Sequence, residues 1–542
     1  MSNLTFVGRL VITVVCVFAL GRGVQSQTPQ FWNDQAYDTL RKAITREETL
    51  NTGSAKNVVF FVGAGMGGPT VLASRILAGQ QCGMTGEENI LEWEKFSNVG
   101  LAKTYTTNGQ VADGAAAATA LFCGVKTKSG VVGVDDSALP GDCESGLNAS
   151  VDSVMTSAER AGKATGFVTT ARVTHATPSA LYAHSPHRDW EYGAAIPEGE
   201  AGRGCTDIAS QLITLGRNTK VILGGGRAYM MPNTTVDPEY PDKVGLRQDG
   251  RNLIDEWKSS KDLSRSHYVW NLEQFNSVDQ TTTDYLMGLF EPSHMQYSAN
   301  RLNDSAGEPS LAQMVEKAIR ILQKDDDGFF LMVEGGRIDH AHHSGSAHHA
   351  LHDTVAMDDA VAKAMELTNE TDTLMLVTAD HSHTLSVGGY PPRGRPILGT
   401  GTLREGEMME DGLPFTTLAY AAGPGGREEQ KSYQDTGMRR NLTDVDTEDP
   451  NFLQPAVVPL VSSPHAGEDV AIYANGPMSH LFNGVHEQHY IAHVVRYAAR
   501  LDETQCPRPV TPGNGAPSAG FDLPLTLIAS VTLAAYYTVK KI

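Results

Sequence analysis

Short apolar runs alternate with amphipathic stretches along most of the chain. Five of these runs are rich in β-branched or aromatic residues and are bounded by glycine or polar residues: Val58–Val62, Gly166–Thr170, Val221–Leu223, Phe329–Val333 and Thr373–Thr378. Their continuous apolar character predicts strands that are buried on both faces. A helical pattern, for example over Ser310–Leu322, separates them. This alternation predicts an α/β fold with a central, mostly parallel sheet that is flanked by helices.

Polar residues follow the predicted strands at the point where each strand ends. His175 follows the second run, Glu334 the fourth, and Asp380 and His381 the last, while Ala64 stands after the first. Ligands of open α/β sheets bind beyond the carboxyl ends of the strands. The sequence therefore predicts that these side chains line one site.

The N-terminus carries a secretory signal. Arg9 precedes the apolar run Leu10–Leu20, and small residues follow. Such a run is too short to span a bilayer, so it predicts a signal peptide over residues 1–26 rather than an anchor. Secretion is compatible with five N-x-S/T sites for glycosylation, at Asn148, Asn233, Asn303, Asn369 and Asn441.

The C-terminus resembles the signal for a glycolipid anchor. After Cys506 a segment rich in proline and glycine leads to the apolar run Leu523–Val539, close to the end of the chain. Small residues, a spacer and a terminal apolar tail predict a glycolipid-anchor signal within residues 507–542, with Asn514 or Ser518 as the acceptor. A transmembrane tail is the alternative. The anchored form would lie on the extracellular face of the plasma membrane.

Composition limits the classes of partner. The chain has 542 residues, of which 40% are hydrophobic, and a formal net charge of -20. This charge argues against nucleic acid and anionic lipid as electrostatic partners. Residues 27–506 form the predicted globular body. Within that body, residues 389–454 are rich in glycine, proline and charge, which is typical of an insert or a long surface loop.

The strongest chemical signal is a set of metal donors. Residues Val333 to His343 read V-E-G-G-R-I-D-H-A-H-H, so Asp339 and His343 are four positions apart. One turn of helix would direct both side chains to one point. His465, in S-S-P-H-A-G-E-D-V, supplies a further imidazole. Two imidazoles and one carboxylate are typical ligands of a catalytic zinc with one open position. The alternative is a solvated, histidine-rich surface.

Three motifs occur together and in order: V-E-G-G-R-I-D-H, V-T-A-D-H-S-H and H-A-G-E-D-V. On these motifs the chain resembles the metal-dependent alkaline phosphatases of the animal, glycolipid-anchored type, from Phe31-Trp32 to about Ala499. The resemblance implies the alkaline phosphatase fold and one metal cluster. The implied first zinc site consists of Asp339, His343 and His465.

The same resemblance implies further sites. A second zinc would bind Asp380 and His381, magnesium would bind His175, Thr177 and Glu334, and Arg188 would clamp phosphate as a bidentate fork. A calcium site would use Glu239, the carbonyl of Phe290, Glu291 and Glu308. The family has Asp where Glu308 stands, so this last position departs from the pattern.

Two residues that the family needs are absent. The family pattern D-S-A-x-x-A-T-A aligns with Q-V-A-D-G-A-A-A-A-T over Gln110 to Thr119, and this alignment puts Gly114 at the nucleophilic serine. The pattern G-D-G-M-G aligns with G-A-G-M-G, which puts Ala64 at the aspartate that bridges the second zinc and the magnesium. We therefore expect one intact zinc site and weakened second zinc and magnesium sites.

These losses lead to two functional hypotheses. Without a serine no phosphoseryl intermediate can form at Gly114. The favoured hypothesis is a catalytically impaired or inactive pseudophosphatase of the cell surface that keeps one zinc site and the phosphate-clamping Arg188. The alternative is an active phosphomonoesterase that hydrolyses phosphate monoesters by metal-hydroxide attack.

The resemblance also implies features outside the metal cluster. It identifies residues 389–454 as a small crown insert at the interface of a homodimer, with Phe31-Trp32 reaching across to the other subunit. It implies a disulfide between Cys143 and Cys205 and a buried free thiol at Cys123. Cys82 and Cys506 have no clear counterpart, and no pattern decides their pairing.

Overall fold

A computed structural model describes residues 50–501. The signal peptide, Phe31-Trp32, Cys506 and the anchor segment with Asn514 and Ser518 lie outside the described residues, so those interpretations stay predictions. The fold consists of one large sheet, two small sheets and flanking helices.

The strands follow one another at intervals along the whole described chain. They are β1 (Asn57–Gly63), β2 (Asn98–Lys103), β3 (Ala164–Arg172), β4 (Val221–Gly225), β5 (Ser266–Val269), β6 (Tyr285–Leu289), β7 (Phe329–Gly335), β8 (Thr373–Thr378), β9 (Ser382–His383), β10 (Leu385–Val387), β11 (Leu418–Gly423), β12 (Ala456–Pro459), β13 (His465–Ala466), β14 (Val470–Asn475) and β15 (Gly484–Glu487). The five predicted strands are confirmed as β1, β3, β4, β7 and β8.

Ten strands form the large sheet, in the order β15-β2-β14-β8-β1-β7-β3-β4-β6-β5. The seven strands from β8 to β5 are parallel, as expected for the apolar runs that are buried on both faces. β14 runs antiparallel to β8 and β2. The predicted fold class, a mostly parallel sheet between helices, is therefore confirmed.

Helices pack on the sheet between the strands. They are α1 (Gly68–Gln81), α2 (Gly114–Cys123), α3 (Cys143–Leu147), α4 (Val154–Arg160), α5 (Ala176–Ser179), α6 (Ile208–Thr214), α7 (Arg227–Met230), α8 (Leu253–Ser259), α9 (Leu272–Ser277), α10 (Leu311–Leu322), α11 (Arg337–His343), α12 (Ala347–Leu367), α13 (Gly425–Thr436) and α14 (Tyr490–Ala499). Short 3-10 turns lie at Glu92–Lys95, Gly193–Ala195, Arg301–Asn303 and Ser479–Phe482.

The predicted helix over Ser310–Leu322 shows how local sequence sets an element's bounds. Ser310 accepts a hydrogen bond from the backbone N–H of Gln313, whose side chain accepts one from the backbone N–H of Ser310. This reciprocal capping box satisfies two amide groups at the start of α10. The helix then buries one apolar face against the sheet.

The stretch over residues 389–454 contains regular structure. β11 and α13 lie within it, and β11 joins β10 and β12 in a three-stranded sheet. The second small sheet pairs β13 with β9, which places His465 opposite His383. A role of this insert at a dimer interface stays a prediction.

The cysteines and asparagines agree with passage through the secretory route. Cys143 and Cys205 form a disulfide with a Cα–Cα distance of 5.7 Å, which confirms the pairing that the resemblance implied. Burial raises the pKa of the Cys123 thiol to about 12. All five asparagines of the N-x-S/T sites are exposed. Within residues 50–501, no helix is both long and apolar enough to cross a membrane.

Candidate metal and phosphate site

Gly114 is the first residue of α2 and is buried at the centre of the candidate site. Asp113 caps the helix by accepting hydrogen bonds from the backbone N–H groups of Ala115 and Ala116. A Cβ atom placed on Gly114 would lie 3.2 Å from Oδ2 of Asp380 and 3.9 Å from Nε2 of His381. Position 114 therefore faces the Asp380–His381 pair, but it carries no side chain that could act there.

Asp339, His343 and His465 are brought together from α11 and β13. Nε2 of His465 lies 3.2 Å from Nε2 of His343. Oδ2 of Asp339 lies 3.3 Å from Nε2 of His343, and Oδ1 of Asp339 lies 3.5 Å from Nε2 of His465. These three residues are called the Asp339 triad below. Potential ligand atoms of these three residues thus lie within a few ångströms, and those of Asp339 and His465 also lie within 4.8 Å of His381 and His383. This donor set, two imidazoles and a carboxylate, fits zinc.

Hydrogen bonds to the protein orient both imidazoles. Nδ1 of His343 lies 2.7 Å from the carbonyl oxygen of Ser463, and Nδ1 of His465 lies 2.8 Å from that of Ala112. A carbonyl can only accept, so each Nδ1 carries the proton and each Nε2 keeps its lone pair. The lone pairs face the centre of the triad, which is the arrangement that metal-binding histidines use.

His383 is a member of this site that sequence reasoning missed. Its Nε2 lies 2.5 Å from Oδ1 of Asp339. Although burial opposes ionisation, the imidazoles of His343, His383 and His465 around its carboxylate hold the pKa of Asp339 well below its usual value. The signal for His383 was present in V-T-A-D-H-S-H, since residues two apart on a strand share a face. Only the antiparallel pairing of β9 with β13, which sets His383 opposite His465, shows that His383 belongs to this site.

Asp380 and His381 form the second donor pair, at the end of β8. Oδ1 of Asp380 accepts hydrogen bonds of 2.9 Å from the backbone N–H groups of Gly65 and His381. Its Oδ2 lies 3.2 Å from Nε2 of His381. Burial and the nearby charge of Asp339 raise the pKa of Asp380 to about 6. Two donors are present here, where a well-held zinc normally has at least three protein ligands.

The turn after β1 brings Ala64 to the same place but supplies no ligand. Gly65 has a φ of +69°, and a Cβ atom there would lie 2.5 Å from Cδ2 of His383, so this position requires glycine. Ala64 is 5% exposed and presents only a methyl group. The backbone of the turn still binds Asp380, while the carboxylate expected at position 64 is absent.

Glu334 and Thr177 lie together at the predicted magnesium site, whereas His175 groups with His294 and His340. Glu334 is fully buried, and one of its oxygens accepts a hydrogen bond from Thr169. The other oxygen, Oε1, has no hydrogen-bond partner in the described part of the chain. Burial, partly offset by hydrogen bonds from Thr169 and Thr177, raises the pKa of Glu334 to about 7. A buried carboxylate oxygen without a donor fits a cation, although with fewer ligands than the predicted magnesium site requires.

Arg188 lies at the mouth of the site and is held from two sides. Its Nη1 donates to Oδ2 of Asp113 at 3.0 Å, and its Nη2 lies 3.4 Å from Nε2 of His175. Asp113 therefore links the start of α2 to the guanidinium. The side chain is 25% exposed, so it can reach a ligand from solvent.

A separate acidic group lies near β6 and differs by one residue from the predicted calcium site. Oxygens of Glu239, Glu291 and Asp304 lie within 4.8 Å of one another, whereas Glu308 is outside this group of three. Each of Glu239, Asp304 and Glu308 has one buried oxygen without a hydrogen-bond partner within residues 50–501. Phe290 is buried beside Glu291. The chain arrangement around residues 304–308 decides this difference, which the residue spacing did not reveal.

Comparisons with known proteins agree with this geometry. The family model for alkaline phosphatase matches residues 55–501. The chain is 47% identical over 484 residues to an alkaline phosphatase of Gadus morhua, covering 89% of this chain and 99% of that protein. It is likewise 47% identical over 480 residues to the tissue-nonspecific alkaline phosphatase of Homo sapiens, covering 88% of this chain and 89% of that protein.

Two solved structures show the same fold. The alkaline phosphatase of Thermus thermophilus superposes with a TM-score of 0.59 at 23% identity, covering 84% of this chain and 93% of that one. The enzyme from the Antarctic bacterium TAB5 gives a TM-score of 0.57 at 20% identity, covering 83% and 99%. With the family model spanning nearly all of the described residues, the chain belongs to the alkaline phosphatase family.

Proposed function

We propose that this protein is a catalytically impaired or inactive alkaline phosphatase homologue that binds zinc and phosphate. One observation carries the proposal: position 114 faces Asp380 and His381 at 3.2 Å and 3.9 Å, yet it has no side chain. A covalent intermediate on this residue cannot form, because glycine has no nucleophilic atom beyond its backbone. The missing carboxylate at Ala64 further weakens the neighbouring donor set.

The remaining residues support binding rather than turnover. Asp339, His343 and His465 would hold one zinc, which supplies a Lewis acid that polarises a phosphoryl oxygen. Arg188, fixed by Asp113, would clamp two phosphate oxygens through its planar fork. Phosphate monoesters are the ligand class that the family acts on, so phosphate or its monoesters are the proposed ligands.

A weakened phosphomonoesterase is the second candidate. The convergence of Asp339, His343 and His465 favours it, because an intact donor triad and a placed Arg188 still offer electrostatic stabilisation to a reacting phosphate. In that case water would attack phosphorus directly, with no covalent step. The two candidates differ in turnover and not in fold.

The deciding experiment is an assay of p-nitrophenyl phosphate hydrolysis at alkaline pH with added zinc and magnesium. The Gadus morhua alkaline phosphatase serves as the active comparator. We expect kcat to be lower by roughly a thousandfold or more, since a lost nucleophile that acts within a catalytic unit has that effect. Acid trapping of labelled phosphate on the protein should give no signal. Turnover equal to that of the comparator would overturn the proposal.

Two further measurements test whether any residual activity belongs to this protein and how much zinc the protein holds. Any residual hydrolysis by the protein itself should fall in the Arg188→Gln variant, whereas a contaminating phosphatase would not respond. Elemental analysis after dialysis should find close to one zinc per chain, because the first predicted zinc site keeps three ligands and the second only Asp380 and His381. Two tightly held zincs with magnesium would contradict the proposed metal content.

We also propose that the mature protein is attached to the extracellular face of the plasma membrane through a glycolipid on Asn514 or Ser518, and that it forms a homodimer. The apolar C-terminal run and the glycosylation sites support the first statement. Release from cells by a phosphatidylinositol-specific phospholipase C tests the anchor, and light scattering of the released protein tests the dimer. Resistance to the lipase with retention in the membrane would favour the transmembrane tail.

A further inference from the structure

A basic cluster extends from Arg188 and His175, which were described above, to four residues that the site does not use. We define it by three arginines and three histidines, none of them fully buried: Arg172, Arg188, Arg337, His175, His294 and His340. One ring nitrogen from each histidine lies within 4.8 Å of those of the other two. The ring centroids of His294 and His340 are 4.0 Å apart. Three histidines so close together suggest a metal site or an anion site.

Hydrogen-bond direction argues against a metal. Nη2 of Arg188 lies 3.4 Å from Nε2 of His175, and Nη1 of Arg337 lies 3.2 Å from Nδ1 of His340. A guanidinium can only donate, so each of these ring nitrogens accepts. The other nitrogen of a neutral imidazole then carries the proton. Nδ1 of His175 and Nε2 of His340 are therefore N–H donors and offer no lone pair to a cation.

His294 offers no open nitrogen either. Its Nε2 lies 2.5 Å from Nη1 of Arg172, and its Nδ1 lies 3.3 Å from the backbone nitrogen of Arg172. Both ring nitrogens thus face donors of one arginine. His175 and His340 each keep one N–H for a ligand while His294 faces Arg172, so the three rings do not form a set of metal ligands.

The charge of the cluster is not fully compensated. Arg172 forms an ion pair of 2.6 Å with Glu191, and Arg188 forms one of 3.0 Å with Asp113. Arg337 has no carboxylate within ion-pair distance among residues 50–501, and its Nε is buried without a hydrogen-bond partner. Its guanidinium lies 3.7 Å from the ring centroid of Tyr297. A buried, unpartnered donor that carries positive charge fits an anion.

We propose that the basic cluster is a subsite for a second anionic group of a ligand whose phosphate lies at Arg188. The subsite depends on the phosphate site proposed above. One imidazole ring, that of His175, lies between Arg188 and the other members of the cluster, so a ligand held at Arg188 would reach them. The ligand class is a phosphate or phosphonate with a phosphate or carboxylate group close to it in the same molecule. Arg337 supplies the charge, and His175 and His340 supply N–H donors.

The test compares three probes by isothermal titration calorimetry on the zinc-loaded full chain: methylphosphonate, phosphonoacetate and methylenediphosphonate. We expect phosphonoacetate and methylenediphosphonate to bind on the order of tenfold more tightly than methylphosphonate. This ratio of Kd values corresponds to a difference of about 1.4 kcal/mol in binding free energy. Arg337→Gln should lower their affinity to that of methylphosphonate. The preference between the two probes identifies the second group as carboxylate or phosphonate.

Controls make each outcome decisive. Arg265→Gln removes an exposed arginine that pairs with Asp284 and is not a member of the basic cluster. This variant should change none of the three affinities. His294→Asp adds a negative charge inside the cluster and should abolish the preference, which keeps the test available if Arg337→Gln does not fold. Zinc content is measured in every variant, so that chelation by the probes is recognised.

Several results would overturn the subsite. Equal binding of the three probes, or a preference that persists in both variants, would exclude it while leaving the phosphate site standing. Binding of the two bifunctional probes, phosphonoacetate and methylenediphosphonate, without any methylphosphonate binding would support the subsite and reject phosphate at Arg188. No binding of any probe would reject both. A second tightly held zinc that is lost in His294→Ala would identify a metal site instead.

Discussion

The two halves of the candidate metal site keep different parts of the family pattern. In the half built by α11 and β13, every donor of the Asp339 triad has a second hydrogen bond that orients it. In the half built by the turn after β1 and the start of α2, the backbone contacts persist but two side chains are missing. Gly65 still donates to Asp380, and Asp113 still caps α2.

The difference shows that the main-chain structure at positions 64 and 114 does not require the side chains of the family pattern. Ala64 and Gly114 satisfy the backbone needs of a turn and a helix start, so their presence disturbs no main-chain hydrogen bond. Relative to the family pattern, position 64 carries no carboxylate and position 114 carries no hydroxyl. Glu334 is fully buried near Asp380, and its Oε1 has no hydrogen-bond partner within the described residues.

The largest expected effect comes from restoring the altered half. Gly114→Ser with Ala64→Asp should raise phosphatase activity by roughly a thousandfold or more, as expected for residues of one catalytic unit. Each single change should recover little, because the serine needs an adjacent metal and the carboxylate needs a nucleophile. Steady-state kinetics of the four variants in a double-mutant cycle measure the coupling.

Gly114→Ala with Ala64→Asn is the matched control for that rescue, since it adds similar bulk without the reactive groups. It should stay inactive. A double variant that binds two zincs and folds but remains inert would show that the intact half has lost its competence as well.

A smaller effect is expected in the intact half. His383→Ala should lower zinc affinity by roughly 10–100-fold, because removing an outer hydrogen bond to a ligating carboxylate has that consequence. Competition with a chromophoric chelator measures the change. His352→Ala, on α12 and outside the donor groups, should bind zinc like the unaltered chain. Unchanged affinity in His383→Ala would show that Asp339 is oriented without this contact.

Arg188 tests whether the intact half still recognises phosphate. Arg188→Lys keeps the charge but removes the planar fork, so the Kd for inorganic phosphate should rise by about tenfold. Arg188→Gln loses charge and fork together and should bind more weakly still. Equal affinity in all three proteins would place the phosphate elsewhere. Calorimetry with zinc-loaded protein provides the measurement.

The smallest effect concerns pH and the acidic group near β6. Burial, reinforced by Glu291 and Asp304, raises the pKa of Glu308 to about 9. A raised folded-state pKa stabilises the fold below the unfolded-state value, and this stability is lost as pH rises through about 9. In calcium-free buffer the Tm should therefore fall by a few degrees between neutral and alkaline pH, as followed by circular dichroism.

Glu308→Gln provides the control for the pH experiment, because an amide does not titrate. Its Tm should depend less on pH over the same range. Added calcium should stabilise the unaltered chain more at alkaline pH, where the carboxylates are ionised. A Tm that rises with pH in calcium-free buffer would contradict the proposed protonation of Glu308.

Much of the fold and of the first donor triad followed from the sequence. The five predicted strands lie within one or two residues of β1, β3, β4, β7 and β8, since continuous apolar runs need burial on both faces. The four-residue spacing of Asp339 and His343 placed both on one face of α11, because helix geometry is local. The losses at Ala64 and Gly114 were also evident, since they are statements about residue identity.

Only the tertiary structure decided the remainder. His383 joins Asp339 because β9 pairs with β13, and Asp304 rather than Glu308 joins Glu239 and Glu291 because of how one loop folds. His294 comes from a different element than His175 and His340, and only packing places the three rings together. Residues far apart in sequence acquire a common environment through chain topology, which periodicity and local spacing do not encode.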